Sequence, residues 1–265
     1  MKYIPLLLVP WILSCSYGAY SPTNQNVPLF KQKGEAKLDV STGYLQGAVA
    51  VGKHVALLAN VQYASGRLYV RPDMGRTRHR RLELGAGYFG GLKNNPNWIT
   101  EVYAGVGAGR LDWDRYGYEN TANVSQAVDG PSLTSQNQNV FVQSSIGYRG
   151  RRTNIALSAK MNGLTYSNLR LTPPVATSLV PGELSTGLIR LTNKVSLWAE
   201  PALTVTSGGP HFRLTFQAFY ALPLNNDPQQ WPESDTLSSR AYFLRGGFCW
   251  SFHAGRTDQN ATHHD

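Results

Sequence analysis

Residues 153–165 read TNIALSAKMNGLT. Every second residue from Ile155 is apolar: Ile155, Leu157, Ala159 and Met161. Between them stand Ala156, Ser158, Lys160 and Asn162. A strict period of two is the mark of a strand with unlike faces, because successive side chains point to opposite sides. The question is which face meets which solvent. In a soluble sheet the apolar face is buried and the polar face is wetted. In a barrel crossing a membrane the apolar face meets hydrocarbon, and the polar face lines the inside.

The pattern recurs along the chain. Alternation predicts ten strands at 35–43, 45–52, 54–65, 79–90, 98–110, 138–149, 153–165, 194–206, 211–221 and 240–252. One phase of the later strands is almost purely apolar, from Leu82, Leu84, Ala86 and Tyr88 to Leu244, Phe248, Trp250 and Phe252. The charges inside these strands, Glu83, Glu101, Lys160, Glu200, Arg213 and Arg245, all fall in the other phase. An Arg or Lys facing lipid at the midplane costs roughly 2–4 kcal/mol, which accounts for so strict a partition. Connections alternate between short turns (52–53, 91–97, 150–152, 207–210) and long ones (66–78, 111–137, 166–192, 222–239). Outer-membrane barrels place short turns in the periplasm and long loops outside. The fold class that follows is all-β: a closed, antiparallel, up-and-down transmembrane barrel of about ten strands, with eight as the smaller alternative. Both ends of the barrel then fall on the short-turn side.

Aromatic residues of the apolar phase gather at strand ends. Tyr88, Trp98, Tyr148, Phe212, Trp250 and Phe252 lie at the short-turn end, and Tyr63, Tyr220 and Tyr242 at the other. Two girdles at headgroup level suit amphipathic rings. Tyr103, Phe141, Trp198 and Phe243 fall in the inward phase.

The chain divides into four parts. Residues 1–15 read as a signal peptide: a short basic start, then YIPLLLVPWIL at 3–13, too short to span a membrane as a helix. Its end, Ile12-Leu13-Ser14-Cys15, is lipobox-like, which makes Cys15 a lipid attachment point for acyl chains such as palmitate. Plain secretion with cleavage near Ala19 is the alternative. Residues 16–34, rich in Gly, Ser, Pro, Asn and Gln without period, read as a flexible tether that holds the chain at the periplasmic side. Residues 35–252 are the barrel, and 253–265 a polar tail.

Other patterns weigh little. A net charge of +9 with clusters at Arg76, Arg78, Arg80, Arg81 and at Arg149, Arg151, Arg152 raises nucleic acid as a partner. No nucleic-acid motif accompanies them, so solvated loops or anionic headgroups are the expected surroundings. Gly85-Ala86-Gly87-Tyr88-Phe89-Gly90 fits a dinucleotide fingerprint, but a turn follows where a helix is required. Gly85, Gly87, Gly105, Gly107 and Gly109 instead make room inside for large groups from across the barrel. No nucleophile elbow occurs. His54, His79, His211 and His253 lie near strand ends without a catalytic pattern, and His263, His264 and Asp265 belong to the tail. No metal and no cofactor are expected. The six inward charges read as a plug filling a narrow barrel, because buried charges must pair.

Residues 20–43, YSPTNQNVPLFKQKGEAKLDVSTG, with 45–65, LQGAVAVGKHVALLANVQYAS, resemble the N-terminal part of small outer-membrane β-barrel lipoproteins of Bacteroidetes-type bacteria. The likeness rests on NVPLF at Asn26–Phe30 and Lys33-Gly34-Glu35. It implies a barrel without established activity and supplies no catalytic residue. The final strand, AYFLRGGFCWSF at 241–252, resembles the C-terminal signal read by the barrel-assembly machinery, although a polar tail follows it. The expected function is that of a bacterial outer-membrane lipoprotein, not an enzyme, acting structurally or by binding through long external loops. Outer-membrane lipid, the assembly machinery and an extracellular ligand are the partners in view. The alternatives are a soluble periplasmic barrel lipoprotein that binds an apolar ligand, and a membrane-embedded lipid-modifying enzyme.

Overall fold

The computed structural model describes residues 20–70, 73–121, 124–172, 193–225 and 241–253. The signal segment, Cys15, the tail from 254 and the connections at 173–192 and 226–240 lie outside these residues.

Ten antiparallel strands close into a barrel: β1 (Glu35–Ser41), β2 (Tyr44–Ala50), β3 (Val55–Val70), β4 (Asp73–Leu92), β5 (Asn95–Thr121), β6 (Val124–Arg149), β7 (Thr153–Thr172), β8 (Val195–Gly208), β9 (Phe212–Pro223) and β10 (Ala241–His253). Each strand pairs with its neighbours in sequence, and β1 closes on β10 from Glu35↔His253 to Ser41↔Gly247. Closure leaves no open edge. The β1–β2 turn is made by Thr42 and Gly43; Gly43 has φ +77° and its carbonyl accepts from Tyr63 N at 2.7 Å.

The two faces are as unlike as the alternation requires. Leu82, Leu84, Val102, Val106, Val140, Val142, Ile155, Leu157, Val195, Leu214, Phe216, Leu244 and Phe248 are all exposed on the outer surface. Glu83, Glu101, Lys160, Glu200 and Arg213 are buried inside.

Two expectations need correction. The segments 66–78 and 111–137 are not loops. β3 runs on through the first to Val70 and β4 begins at Asp73, while β5 runs through the second to Thr121 and β6 begins at Val124. β5 has 27 residues, against the roughly 9–11 that cross a bilayer. The extension was hidden because hydropathy alternates only where the two faces meet unlike solvents. Beyond Leu82 the outside turns polar, at Arg80 and Arg110, and the inside turns apolar. Leu111, Trp113, Leu133, Leu164, Tyr166, Trp198 and Ala221 form a buried cluster there with Tyr20.

The second correction concerns the tether. From Tyr20 to Phe30 every residue is buried. This segment lies inside the barrel, with Phe30 near the short-turn end and Tyr20 in the long-hairpin half. It therefore runs through the lumen, and Tyr20 is not at the side where both barrel ends lie. An extended chain covers about 3.3 Å per residue, so the segment is long enough to line a hydrocarbon layer of roughly 30 Å.

Candidate functional site: the occupied lumen

Eleven extended residues cannot be buried without partners for their peptide groups. The wall supplies them. Arg81 donates to Ser21 O at 3.4 Å. Tyr44 and Gln62 donate to Pro22 O at 3.1 and 3.3 Å. Gln46 donates to Asn24 O at 2.6 Å. Gln217 accepts from Gln25 N and donates to Gln25 O, both at 2.9 Å, as a neighbouring strand would. Gln143 donates to Asn26 O at 2.7 Å, Lys37 to Val27 O at 2.9 Å and Arg149 to Leu29 O at 3.0 Å. Glu101 accepts from Phe30 N at 3.1 Å. Strands all around the barrel thus read the backbone of one segment through their side chains.

The segment is anchored at both ends by apolar packing. Tyr20 stacks on Trp198 with ring centroids 4.0 Å apart. Val27 and Leu29 pack with Ile99 and Ala156, and Phe30 with Phe89, Tyr103 and Phe141. Leu29 sits at φ 54°, a strained conformation for a bulky residue that its packed surroundings hold in place. Outside the wall, Lys31 donates to Asn97 at 2.8 Å, and partial burial, reinforced by Arg149 and opposed by Glu35, holds its amine below the ordinary lysine range.

The six inward charges do not form one cluster. Lys160 and Glu83 meet across the lumen at 2.8 Å, and both side chains are 0% exposed. Glu83 also accepts from Asn60 at 3.2 Å and Asn139 at 3.0 Å. Thr23 of the central segment accepts from Lys160 at 2.5 Å and donates to Glu83 at 3.2 Å. Glu200 lies opposite Lys160 in the β7–β8 register and accepts from the Tyr20 hydroxyl. Glu101 stands apart near the short-turn end, held by Phe30, Ser145 and Tyr103. Arg245 binds Asn24 and lies over the rings of Tyr44 at 3.8 Å and Phe219 at 4.8 Å. Arg213 faces a cavity of about 810 Å³ at the short-turn mouth, which Arg149, His211 and Cys249 also line. Five of the six thus serve the central segment or the one pair that surrounds Thr23.

Sequence reasoning missed the amides and the hydroxyl that hold the segment, Tyr44, Gln46, Asn60, Gln62, Gln143 and Gln217, and Asn139, which bonds Glu83 beside it. Their signal was present as an inward phase crowded with Asn and Gln. An amide carries both donors and an acceptor, so a ring of them suits a peptide better than water alone requires. The inward glycines of β5 make room for side chains of the neighbouring strand β6, not for groups from across the barrel as the sequence suggested. A Cβ at Gly105 would meet Phe141 Cζ at 2.5 Å, and one at Gly109 would meet Asn137 Oδ1 at 2.7 Å.

The described girdle side chains lie on the outer face. Trp98 touches Tyr148 with centroids 5.8 Å apart, and Phe212 touches Trp250 at 5.4 Å. Tyr88 and Phe252 are exposed at the same end and Tyr63 at the other; Tyr220 is half-buried, and the side chain of Tyr242 is outside the described residues. His54 stacks on Tyr88, His79 is buried, and His211 is exposed. Among the described residues, no three His, Cys, Asp or Glu side chains converge as metal ligands would.

Fold and lumen together define a closed ten-stranded antiparallel barrel filled by its own N-terminal segment. No family model and no curated protein matches the chain. Among solved structures it is similar to the outer-membrane protease OmpT from Escherichia coli, with 9% identity, TM-score 0.42, and coverage of 82% of this chain and 92% of that one. The translocator domain of the autotransporter NalP from Neisseria meningitidis also matches, with 9% identity, TM-score 0.42, and coverage of 82% and 84%. A third is CarO of Acinetobacter baumannii, at 11% identity, TM-score 0.30, and coverage of 87% and 100%.

Proposed function

We propose that this chain is an integral barrel of a bacterial outer membrane, lipid-anchored through Cys15 and sealed by residues 20–30. Its role is structural, or binding through the tall hairpins of β3 to β7, and not catalytic. One observation carries the membrane reading. The outer face is a continuous apolar surface, from Leu157 at 62% exposure around to Leu244 at 64%. Soluble monomers do not expose apolar patches of that extent. The lumen argues against a soluble carrier of apolar ligands, because a hydrogen-bonded peptide fills its centre. By the short-turn rule the hairpins of β3 to β7 face outward.

Arginine in place of Leu157 tests this. In hydrocarbon the change costs about 2–4 kcal/mol near the midplane. On a wetted surface it stays within about 0.5 kcal/mol. The expected result is impaired insertion into lipid vesicles, read as loss of the heat-modifiable band on a gel. A Leu157→Arg protein as stable as the parent, or a parent soluble without detergent, overturns the reading. Cys15→Ala is expected to leave the chain in the membrane fraction; release into the periplasm would favour a soluble lipoprotein.

A further inference from the structure

The outer face at the long-hairpin end carries a feature that an apolar belt does not explain. Beyond Leu82 on β4 and Ala108 on β5, the outward phase turns to Arg80 and Arg110, which stand directly opposite each other in the register. Like charges side by side on a sheet face are destabilising. Asp112 relieves the pair in part: it lies 2.6 Å from Arg110 Nε and 3.8 Å from Arg80 Nη2. Its side chain is only 7% exposed, whereas Arg80 is 52% and Arg110 55% exposed, so the carboxylate sits beneath and the guanidinium edges face out. Further along, Arg78 pairs with Asp114 at 2.5 Å, and exposed Arg76 reaches Ser65 at 3.2 Å. Among the described residues of this face, four arginines thus stand with two carboxylates. Arg80 also lies over the Tyr63 ring at 5.9 Å.

Position selects the counter-ion. Two residues along a strand is about 7 Å, so Arg80 and Arg110 stand just above the last aliphatic row. If that row lies in hydrocarbon, as the proposed function holds, the pair lies at headgroup depth. We propose that Arg80 and Arg110 bind the phosphate group of a lipid headgroup in the leaflet at the long-hairpin end. A guanidinium fork matches two phosphate oxygens at once, and two forks side by side suit a dianionic phosphomonoester. Asp112 acts as a positioning residue that spaces the forks. Free phosphate offers the same oxygens. The aliphatic rows directly below, which would receive acyl chains, assign the site to a lipid.

The test uses the full-length protein purified in detergent and native mass spectrometry of retained lipid. The probes are a bisphosphorylated acylated glucosamine disaccharide, its dephosphorylated form, and inorganic phosphate as competitor. The expected result is a preference of about tenfold or more for the phosphorylated lipid, in keeping with charge-assisted contacts. Arg80→Gln with Arg110→Gln should abolish the preference, the paired Lys variant should keep part of it, and Arg151→Gln at the opposite end should keep all. Equal retention of both lipids, an unaffected double Gln variant, or complete displacement by inorganic phosphate at equal concentration overturns the proposal. Heat-modifiable migration of the same samples separates the two readings. A barrel that inserts but shows no phosphate preference defeats this inference alone, and a wild-type chain that never inserts defeats the membrane reading.

Discussion

Replacing Lys160 by Met removes an ammonium that lies 2.8 and 2.9 Å from the two carboxylate oxygens of Glu83. Neither side chain is exposed, so no solvent stands ready to replace it. Breaking a buried pair from one side typically costs about 3–5 kcal/mol, because the remaining charge is left uncompensated. Here Glu83 keeps donors from Asn60, Asn139 and Thr23. Hydrogen bonds to a charged group contribute about 1.5–3 kcal/mol each, so these place the loss at the low end, near 3 kcal/mol. That corresponds to about 150-fold in the folding equilibrium. Glu83→Leu alone leaves Lys160 with Thr23, the face of Phe141, whose centroid is 4.5 Å from Nζ, and the Glu200 carboxylate opposite it in the register, and should cost no more than Lys160→Met. The double variant carries neither charge. It should cost less than the sum of the two by about 2 kcal/mol, within the usual range of coupling for contacting residues. Urea titration of each variant refolded in lipid vesicles, followed by tryptophan fluorescence, gives the three values. A loss below about 1 kcal/mol for Lys160→Met, or additive singles, would refute the view that this pair is a buried unit built around Thr23.

The hold on the central segment can be weakened: Gln217→Ala removes both hydrogen bonds to the Gln25 backbone and should cost about 1–3 kcal/mol in a urea titration of the vesicle-refolded barrel, and an unchanged midpoint would contradict the contact. Deleting residues 20–30 should open the lumen, read as ion conductance in planar bilayers that the intact protein lacks; a deletion variant that inserts and stays closed would show that the segment does not seal it. Gly105→Val should prevent folding, because its side chain collides with Phe141 and the β4 backbone, whereas Gly47→Ala, which has open space around it, should fold like the parent.

Much of the architecture was legible in the chain because one local rule wrote it. Each strand from β4 to β10 carries an apolar outer face and a polar inner one, and that contrast stamps a period of two on any segment that does so. The strand count and the sidedness of Leu157 and Lys160 followed from it. The taller parts of β4, β5 and β6 escaped, since Arg76 to Arg80 and residues 111–137 stand outside the region where that contrast operates. Loop-like composition there meant only that both environments had changed.

The ten alternating segments and their outward face were determined by sequence alone. The tertiary structure decided what fills the barrel. Asn24 meets Arg245 across 221 positions, and Gln25 meets Gln217 across 192. A segment enclosed on every side has no face to distinguish from another, so burial leaves no periodic trace in it. Residues 20–30 look like a solvated linker in one dimension, and only ring closure brings the amides of distant strands around their backbone.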